Sequence, residues 1–363
     1  MSLAIGIVGI PNAGKSTLFN ALTRAAVEVA RYPFTTIHPH AGVVPVPDPR
    51  LTAIAAVTRP EREVAATVEM VDIAGLVRGA HRGEGLGNQF LGHIREVDAI
   101  AHVVRCFADP DVPHLEGGID PVRDIEIVEA ELALADLTTI EREAERARGR
   151  VKAHEPRAGE ALAYLDTLGE QLKRGVPARR LPANPVWQDL LRQMRLLTAK
   201  PVLYVANVPE VDAGTGASAE GVRRYARETG ASVVVVSAKL EAEAIALPAE
   251  DATAVLESFG LQEGGLPRLI RGAYELLHLV TFFTTASNEV RAWPVPDGTR
   301  APQAAGRIHT DLERGFIRAE VVPWEDLVRA GAMQRARDQG RIRVEGKDYV
   351  IRDGDVAFFR VAP

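Results

Sequence analysis

The chain has 363 residues, enough for two or three domains with sizeable cores, and a net charge of −6. Its 46% hydrophobic and 25% charged residues suit a globular protein, and no run of about 18 apolar residues is present to cross a membrane. One cysteine, Cys106, excludes a disulfide framework, and the N-terminus has no basic leader, so we expect a cytoplasmic protein in a reducing compartment.

The first element expected is a buried strand from Leu3 to Val8. It runs into Gly9-Ile10-Pro11-Asn12-Ala13-Gly14-Lys15-Ser16-Thr17, which fits G-x-x-x-x-G-K-[ST]. Leu18-Phe19-Asn20-Ala21-Leu22 then continues at helical spacing. Strand, glycine loop and helix together make a phosphate site. Backbone N–H groups of the loop and the positive helix N-terminus cradle the β-phosphate. Lys15 reaches the β/γ oxygens, and the Ser16 hydroxyl suits Mg²⁺. The implied ligand is a nucleoside triphosphate.

A loop-like stretch, Tyr32-Pro33-Phe34-Thr35-Thr36-Ile37, follows, with Thr36 a candidate Mg²⁺ ligand. A second strand, Val68 to Val71, leads into Asp72-Ile73-Ala74-Gly75. This D-x-x-G would place the Asp72 carboxylate near the metal and the Gly75 N–H near the γ-phosphate. Gly79, Gly83, Gly85 and Gly87 then suit a segment that reorders with nucleotide state, or simply a surface loop. Much later, Pro201 to Ala206 ends in Asn207-Val208-Pro209-Glu210, and Ser232 to Val236 ends in Ser237-Ala238-Lys239. These stand where a GTPase carries N-K-x-D and S-A-K, so the base should lie between them. Glu210 replaces the Asp that accepts both guanine protons, and Val208 replaces the Lys whose stem lines the base. Losing that bidentate pair costs guanine about 1–3 kcal/mol, whereas adenine offers neither proton and loses nothing. A loosened GTPase that still prefers guanine is the alternative.

Several stretches resemble the YchF family, Obg-like ATPases of the Obg branch of P-loop NTPases. They are GIVGIPNAGKSTLFNALT, YPFTTIHP, GVVPVPDPRL, VDIAGLVRGAHRGEGLGNQFL, HVVRCF, YVANVPE, AAGRIHTDLERGFIRAE and EGKDYVIRDGDV, spread from Gly6 to Val356. The resemblance implies hydrolysis of ATP in preference to GTP. It makes Asn12, Ala13, Gly14, Lys15, Ser16 and Thr17 the phosphate loop, and Ser16, Thr36 and Asp72 the Mg²⁺ side. It sets Asn207, Val208 and Glu210, with Ser237, Ala238 and Lys239, around the adenine. It also offers Asn12 as a K⁺ ligand and His114 as a catalytic histidine, which could equally be a surface-loop residue. Leu76 stands where Ras-like enzymes carry the glutamine that orients water, so turnover should be slow. Many relatives carry Cys where this chain has Thr35, which removes any thiol-based control there.

The stretch between Gly75 and Asn207 is far longer than one strand–helix–strand link requires. Ile125, Val128, Leu132 and Leu134 lead into Leu137 and Ile140 in a helical pattern, Gly159 to Leu172 and Trp187 to Leu197 resume it, and Pro177, Pro182 and Pro185 interrupt it. From about Leu279 short strands and turns take over. This C-terminal part resembles a TGS domain, the β-grasp module shared with threonyl-tRNA synthetase and SpoT-type proteins. Arg329, Arg335, Arg337, Arg341, Arg343 and Lys347 form a basic stretch there that could meet RNA phosphates. The expected fold is α/β: a doubly wound P-loop NTPase core (residues 1–130 and 201–277), a helical, coiled-coil-like insertion (131–200) and a TGS domain (278–363). The expected activity is slow hydrolysis of ATP to ADP and phosphate with Mg²⁺, and with K⁺ as a candidate activator, by a switch that binds the ribosome, its large subunit or RNA. An Obg-type GTPase and a nucleotide-gated binding protein with incidental hydrolysis are the alternatives.

Overall fold

The computed structural model describes residues 3–29, 41–73, 75, 79, 86–114, 117–182, 184–286 and 288–362. Thr35, Thr36, Leu76, Gly83 and Gly85 lie outside the described residues. The chain forms two compact units, residues 1–43 with 69–273, and 44–68 with 274–363. The expected boundaries put residues 44–68 in the core, whereas here they pack with the C-terminal unit.

The first sheet has the order β2 (Ala41–Pro45), β4 (Thr67–Asp72), β1 (Ala4–Val8), β5 (Ala99–Arg105), β6 (Val202–Asn207) and β7 (Ser232–Val236). β1 lies parallel to both β4 and β5, and β6 joins β5 to β7 in the same sense. Every residue of β5 and β6 is buried, as expected of central parallel strands covered on both faces. The order reverses around β1, which puts the loop after β1 at the topological switch point where doubly wound sheets bind ligands. Helices α1 (Lys15–Val29), α3 (Leu86–Glu96), α7 (Glu220–Thr229), α8 (Ala238–Ile245), α9 (Ala249–Ser258) and α10 (Gly265–Leu276) complete the wound part, α10 ending just past the unit boundary.

The long insertion is built on α4 (Pro121–Lys152), an unbroken helix of 32 residues. Asp120 caps it by accepting from Arg123 N–H, Pro121 fills the first turn, and Arg150 and Lys152 complement the last one. α5 (Ala158–Lys173) folds back so that Leu165, Leu168 and Leu172 pack on Ile140, Ala144 and Ala147. α6 (Gln188–Met194) closes this core through Met194. Where the chain returns toward β6, buried Asp136 accepts from Leu197 N–H (2.9 Å), Thr198 N–H (2.8 Å) and Thr198 Oγ1 (2.7 Å). One carboxylate thus satisfies three donors of the returning turn.

In the second unit the sheet order is β11 (Arg343–Glu345), β10 (Phe316–Pro323), β12 (Asp355–Val361), β8 (Leu279–Ala286), β9 (Glu289–Pro296) and β3 (Arg62–Val64). β8 and β9 form a hairpin, and β3 adds in parallel to β9 with Glu63 opposite Val290. That pairing is what draws residues 44–68, including α2 (Pro49–Thr58), into this unit. α11 (Ala301–Ile308) and α12 (Thr310–Arg314) cover a core of Phe282, Val295, Phe316, Val321 and Ala357, and α13 (Trp324–Ala330) and α14 (Met333–Asp338) follow β10. No helix among the described residues is long and apolar enough to cross a membrane.

Candidate functional site

The loop between β1 and α1 has the backbone needed to wrap a phosphate. Gly14 has φ +92°, and a Cβ there would collide with the Asn207 amide, so only glycine fits. Asn12 takes φ +63°, a left-handed conformation that asparagine tolerates. Ser16 and Thr17 are exposed at the start of α1, while Lys15 is 7% exposed. Its Nζ donates to Ile10 O at 2.8 Å. Burial pulls the Lys15 ammonium down from 10.5 to about 8, against the opposing pull of Asp72.

Register brings the second motif to the same place. Asp72 pairs with Ile7 across the β4–β1 ladder. Ser16 Oγ donates to Asp72 Oδ2 at 3.0 Å, while Asp72 Oδ1 is buried without a hydrogen-bond partner. Gly75 lies against the phosphate loop, where a Cβ would stand 3.0 Å from Pro11 Cγ and 3.1 Å from Lys15 Nζ.

The loops expected to hold the base are joined by Asn207, 4% exposed at the end of β6. Its Nδ2 donates to Ala13 O at 2.9 Å, and its Oδ1 accepts from Ala238 N–H at 3.0 Å. One side chain thereby fastens the phosphate loop to the Ser237-Ala238-Lys239 loop. Val208 is 2% exposed and bonds through its N–H to Val236 O. Ser237 Oγ is buried without a partner. Glu210 and Lys239 bond to each other, Nζ to Oε1, at 2.6 Å. That hydrogen bond lowers the Glu210 carboxyl and raises the Lys239 ammonium from their ordinary values.

His114 follows the loop after β5. Its Nε2 lies 2.9 Å from Asp124 Oδ2, and the two side chains are 5% and 2% exposed. Asp124 belongs to the first turn of α4, so the ring is held by the insertion's long helix rather than free in a surface loop. The sequence assigned no role to Asp124 or Arg105. Arg105 closes a strand that is otherwise apolar apart from His102, and it is 1% exposed. A charge ending a fully buried strand is the signal that could have singled it out.

The basic stretch of the second unit is largely neutralised locally. Arg329 and Arg341 both bond Asp326, Arg337 bonds Glu320, and Arg343 lies near Glu345 and Asp355. Among the described residues, Arg335 and Lys347 have no ion-pair partner.

Two family models match. One, described as "50S ribosome-binding GTPase", covers residues 4–135, and YchF-GTPase_C, described as a protein of unknown function, covers residues 279–362. The "Ribosome-binding ATPase YchF" of Bacillus subtilis is 48% identical over 363 residues, spanning 99% of both chains. The protein of the same name from Escherichia coli O157:H7 is 47% identical over 359 residues, again spanning 99% of each. A solved structure described as the Schizosaccharomyces pombe YchF GTPase superposes with a TM-score of 0.88 at 34% identity, covering 99% of this chain and 98% of that one. A GTP-binding protein from Pyrococcus horikoshii, 21% identical with a TM-score of 0.59, shares the fold. With near-complete relatives at this identity, and the phosphate and base loops in place on the expected strands, the chain belongs to the YchF family.

Proposed function

We propose that the chain hydrolyses ATP to ADP and phosphate and acts as a nucleotide-dependent switch that binds the ribosome. The observation that carries the choice of nucleotide is the Glu210–Lys239 ion pair. The carboxylate nearest the place of the guanine-reading Asp is already engaged. Val208, being apolar and buried, contributes no stem along the base. Guanine therefore loses its bidentate acceptor, which is worth about 1–3 kcal/mol, or about fivefold to 150-fold in affinity. Equilibrium binding of ATP, GTP, ADP and GDP tests this directly. We expect ATP to bind at least about tenfold tighter than GTP, and Val208→Lys with Glu210→Asp to shift preference toward GTP. Equal affinities in the unaltered chain would refute the reading.

The geometry supports the following roles. Lys15, parked on a carbonyl, is freed to meet the β/γ oxygens, and the phosphate-loop N–H groups from Asn12 to Thr17 hold the β-phosphate. Gly75, whose Cβ position would stand 3.1 Å from Lys15 Nζ, is the residue we assign to sense the γ-phosphate. The buried, unpartnered Asp72 Oδ1 and the neighbouring Ser16 hydroxyl are hard oxygen donors that fit Mg²⁺, with Thr36 the further expected ligand. Mg²⁺ bound there would neutralise charge on the β- and γ-phosphate oxygens. Asn12 Nδ2 donates to Pro113 O at 3.1 Å, which leaves Oδ1 as the atom available to K⁺. In the reaction water attacks the γ-phosphorus, the bridging bond to the β-phosphate breaks, and ADP leaves. His114, oriented by Asp124, is the residue we assign to assist that attack.

Ribosome binding rests on the names of the full-length relatives, and a large-subunit contact on the description of the model matching residues 4–135. The division of labour we propose is an ATPase core, a helical arm and a C-terminal TGS-type module. A cytoplasmic location is the one in which such a partner is met.

A further inference from the structure

Arg105 is a buried guanidinium that, among the described residues, has no carboxylate partner. Such a charge is expensive to bury unless every donor is met. Here its hydrogen bonds all go to backbone carbonyls, and a ring face lies against it. Nε donates to Phe107 O at 3.1 Å, and Nη2 to Val112 O at 2.6 Å. Nη1 is shared between Pro113 O and Asn12 O, each at 3.4 Å. The guanidinium carbon stands 4.6 Å from the centre of the Phe107 ring. One end of this fork therefore lies on the phosphate loop and the other on the segment that delivers His114. Asn12 adds a second tie between the same two segments through Pro113 O.

We propose that Arg105 is a positioning residue for ATP hydrolysis, fixing the 107–114 loop, and with it His114, in register with the phosphate loop. The inference rests on the hydrolase reading above. The chemistry explains why arginine stands here. A planar fork with five N–H donors can span four carbonyls on two chain segments, whereas a lysine ammonium on a flexible stem cannot. A purely structural role would register as lost stability with ADP affinity falling alongside it, because any apolar replacement leaves these carbonyls without their donor. Misplacing a catalytic group by about 1 Å can lower a rate about a hundredfold.

The experiment compares Arg105→Met, Arg105→Lys and His114→Ala, alone and in combination, in the full chain. ATP turnover, ADP affinity and thermal midpoint are read for each. We expect both Arg105 variants to lose about tenfold to a hundredfold in kcat while ADP affinity stays within about threefold. Arg105→Met combined with His114→Ala should be no slower than the slower single variant, since the two act through one element. Unchanged kcat, ADP affinity falling in step with the midpoint, or multiplying losses in the double variant would each overturn the inference. Should Arg105→Met fail to fold, Phe107→Leu removes the ring beneath the guanidinium at a half-buried position, and kcat must then fall several-fold with ADP binding retained. An unaltered chain without ATP turnover would overturn the hydrolase reading and this inference with it, whereas intact turnover with an indifferent Arg105 overturns this inference alone.

Discussion

Lys15 should make ATP binding a proton-coupled event. In the nucleotide-free chain its amine is buried on Ile10 O, and burial lowers it from 10.5 to about 8. Burial thus sets roughly 3 kcal/mol against the charged form, relative to an amine in water. An unfolded chain keeps that proton up to its ordinary value, so between pH 8 and 10.5 the unfolded state binds more protons than the folded one. Stability of the nucleotide-free protein should therefore rise with pH across this window, the full burial penalty being felt below it. ATP reverses the balance, because its phosphate charges favour the ammonium. Binding above pH 8 must then take up a proton, and affinity should fall toward tenfold per pH unit, levelling off below pH 8. Calorimetric titration with a non-hydrolysable ATP analogue, repeated in buffers of different ionisation enthalpy, reads both affinity and proton uptake. Affinity that stays flat across the same window, with no proton taken up, would mean that Lys15 is charged before ATP arrives, and the burial argument would fail.

Three further outcomes follow from the packing. Asn207→Ala removes both ties between the phosphate loop and the Ser237-Ala238-Lys239 loop, each worth about 1–3 kcal/mol, and should weaken ATP and ADP binding at least about tenfold. Affinities within twofold of the unaltered chain would show that the loops hold themselves. Leu165→Ala, at a position with no exposure in the hairpin core, should lower stability by about 2–5 kcal/mol in denaturant titration and leave ADP affinity unchanged. For ribosome binding, Arg335→Glu with Lys347→Glu should flatten the dependence of affinity on salt, since these charges are free to release counterions from phosphates. Arg341→Glu instead sets a like charge against Asp326 and should register chiefly as lost stability. An unchanged salt slope in the first variant would move the contact away from this face.

Local pattern made the phosphate and base loops legible. A glycine loop after an apolar strand, D-x-x-G after the next, and two apolar strands ending in Asn207 and Ser237 are short-range signals, and the doubly wound sheet follows from their order. What was hidden depends on partners distant in sequence. Nothing in Arg62-Glu63-Val64 says that it will pair with Glu289-Val290-Arg291, yet that pairing carries residues 44–68 into the second unit. The insertion reads as helical from periodicity, but the anchoring of its return by Asp136 joins groups 61 and 62 residues apart. The run of arginines from 329 to 343 looked free because charge was counted along the chain. In space Asp326 and Glu320 answer most of it. Arg105 escaped because its partners are backbone carbonyls, which leave no trace in side-chain composition.

The unbroken α4 has a mechanical consequence. It holds Asp124, the partner of His114, in its first turn and ends at Lys152, 28 residues on. At 1.5 Å per residue this is a rod of about 42 Å. Its root is packed by Ile125, Val128 and Leu132, all at most 1% exposed, and buried Asp136 ties it further along to the turn before β6. A tilt of about 5° about a point near Val128 would carry the far end about 3 Å and the Asp124 carboxylate about half an ångström. A fraction of an ångström is the scale on which a 2.9 Å hydrogen bond to His114 is made or lost. A force applied at the far end of the arm would therefore reach the His114 contact as a finer movement than the one that produced it.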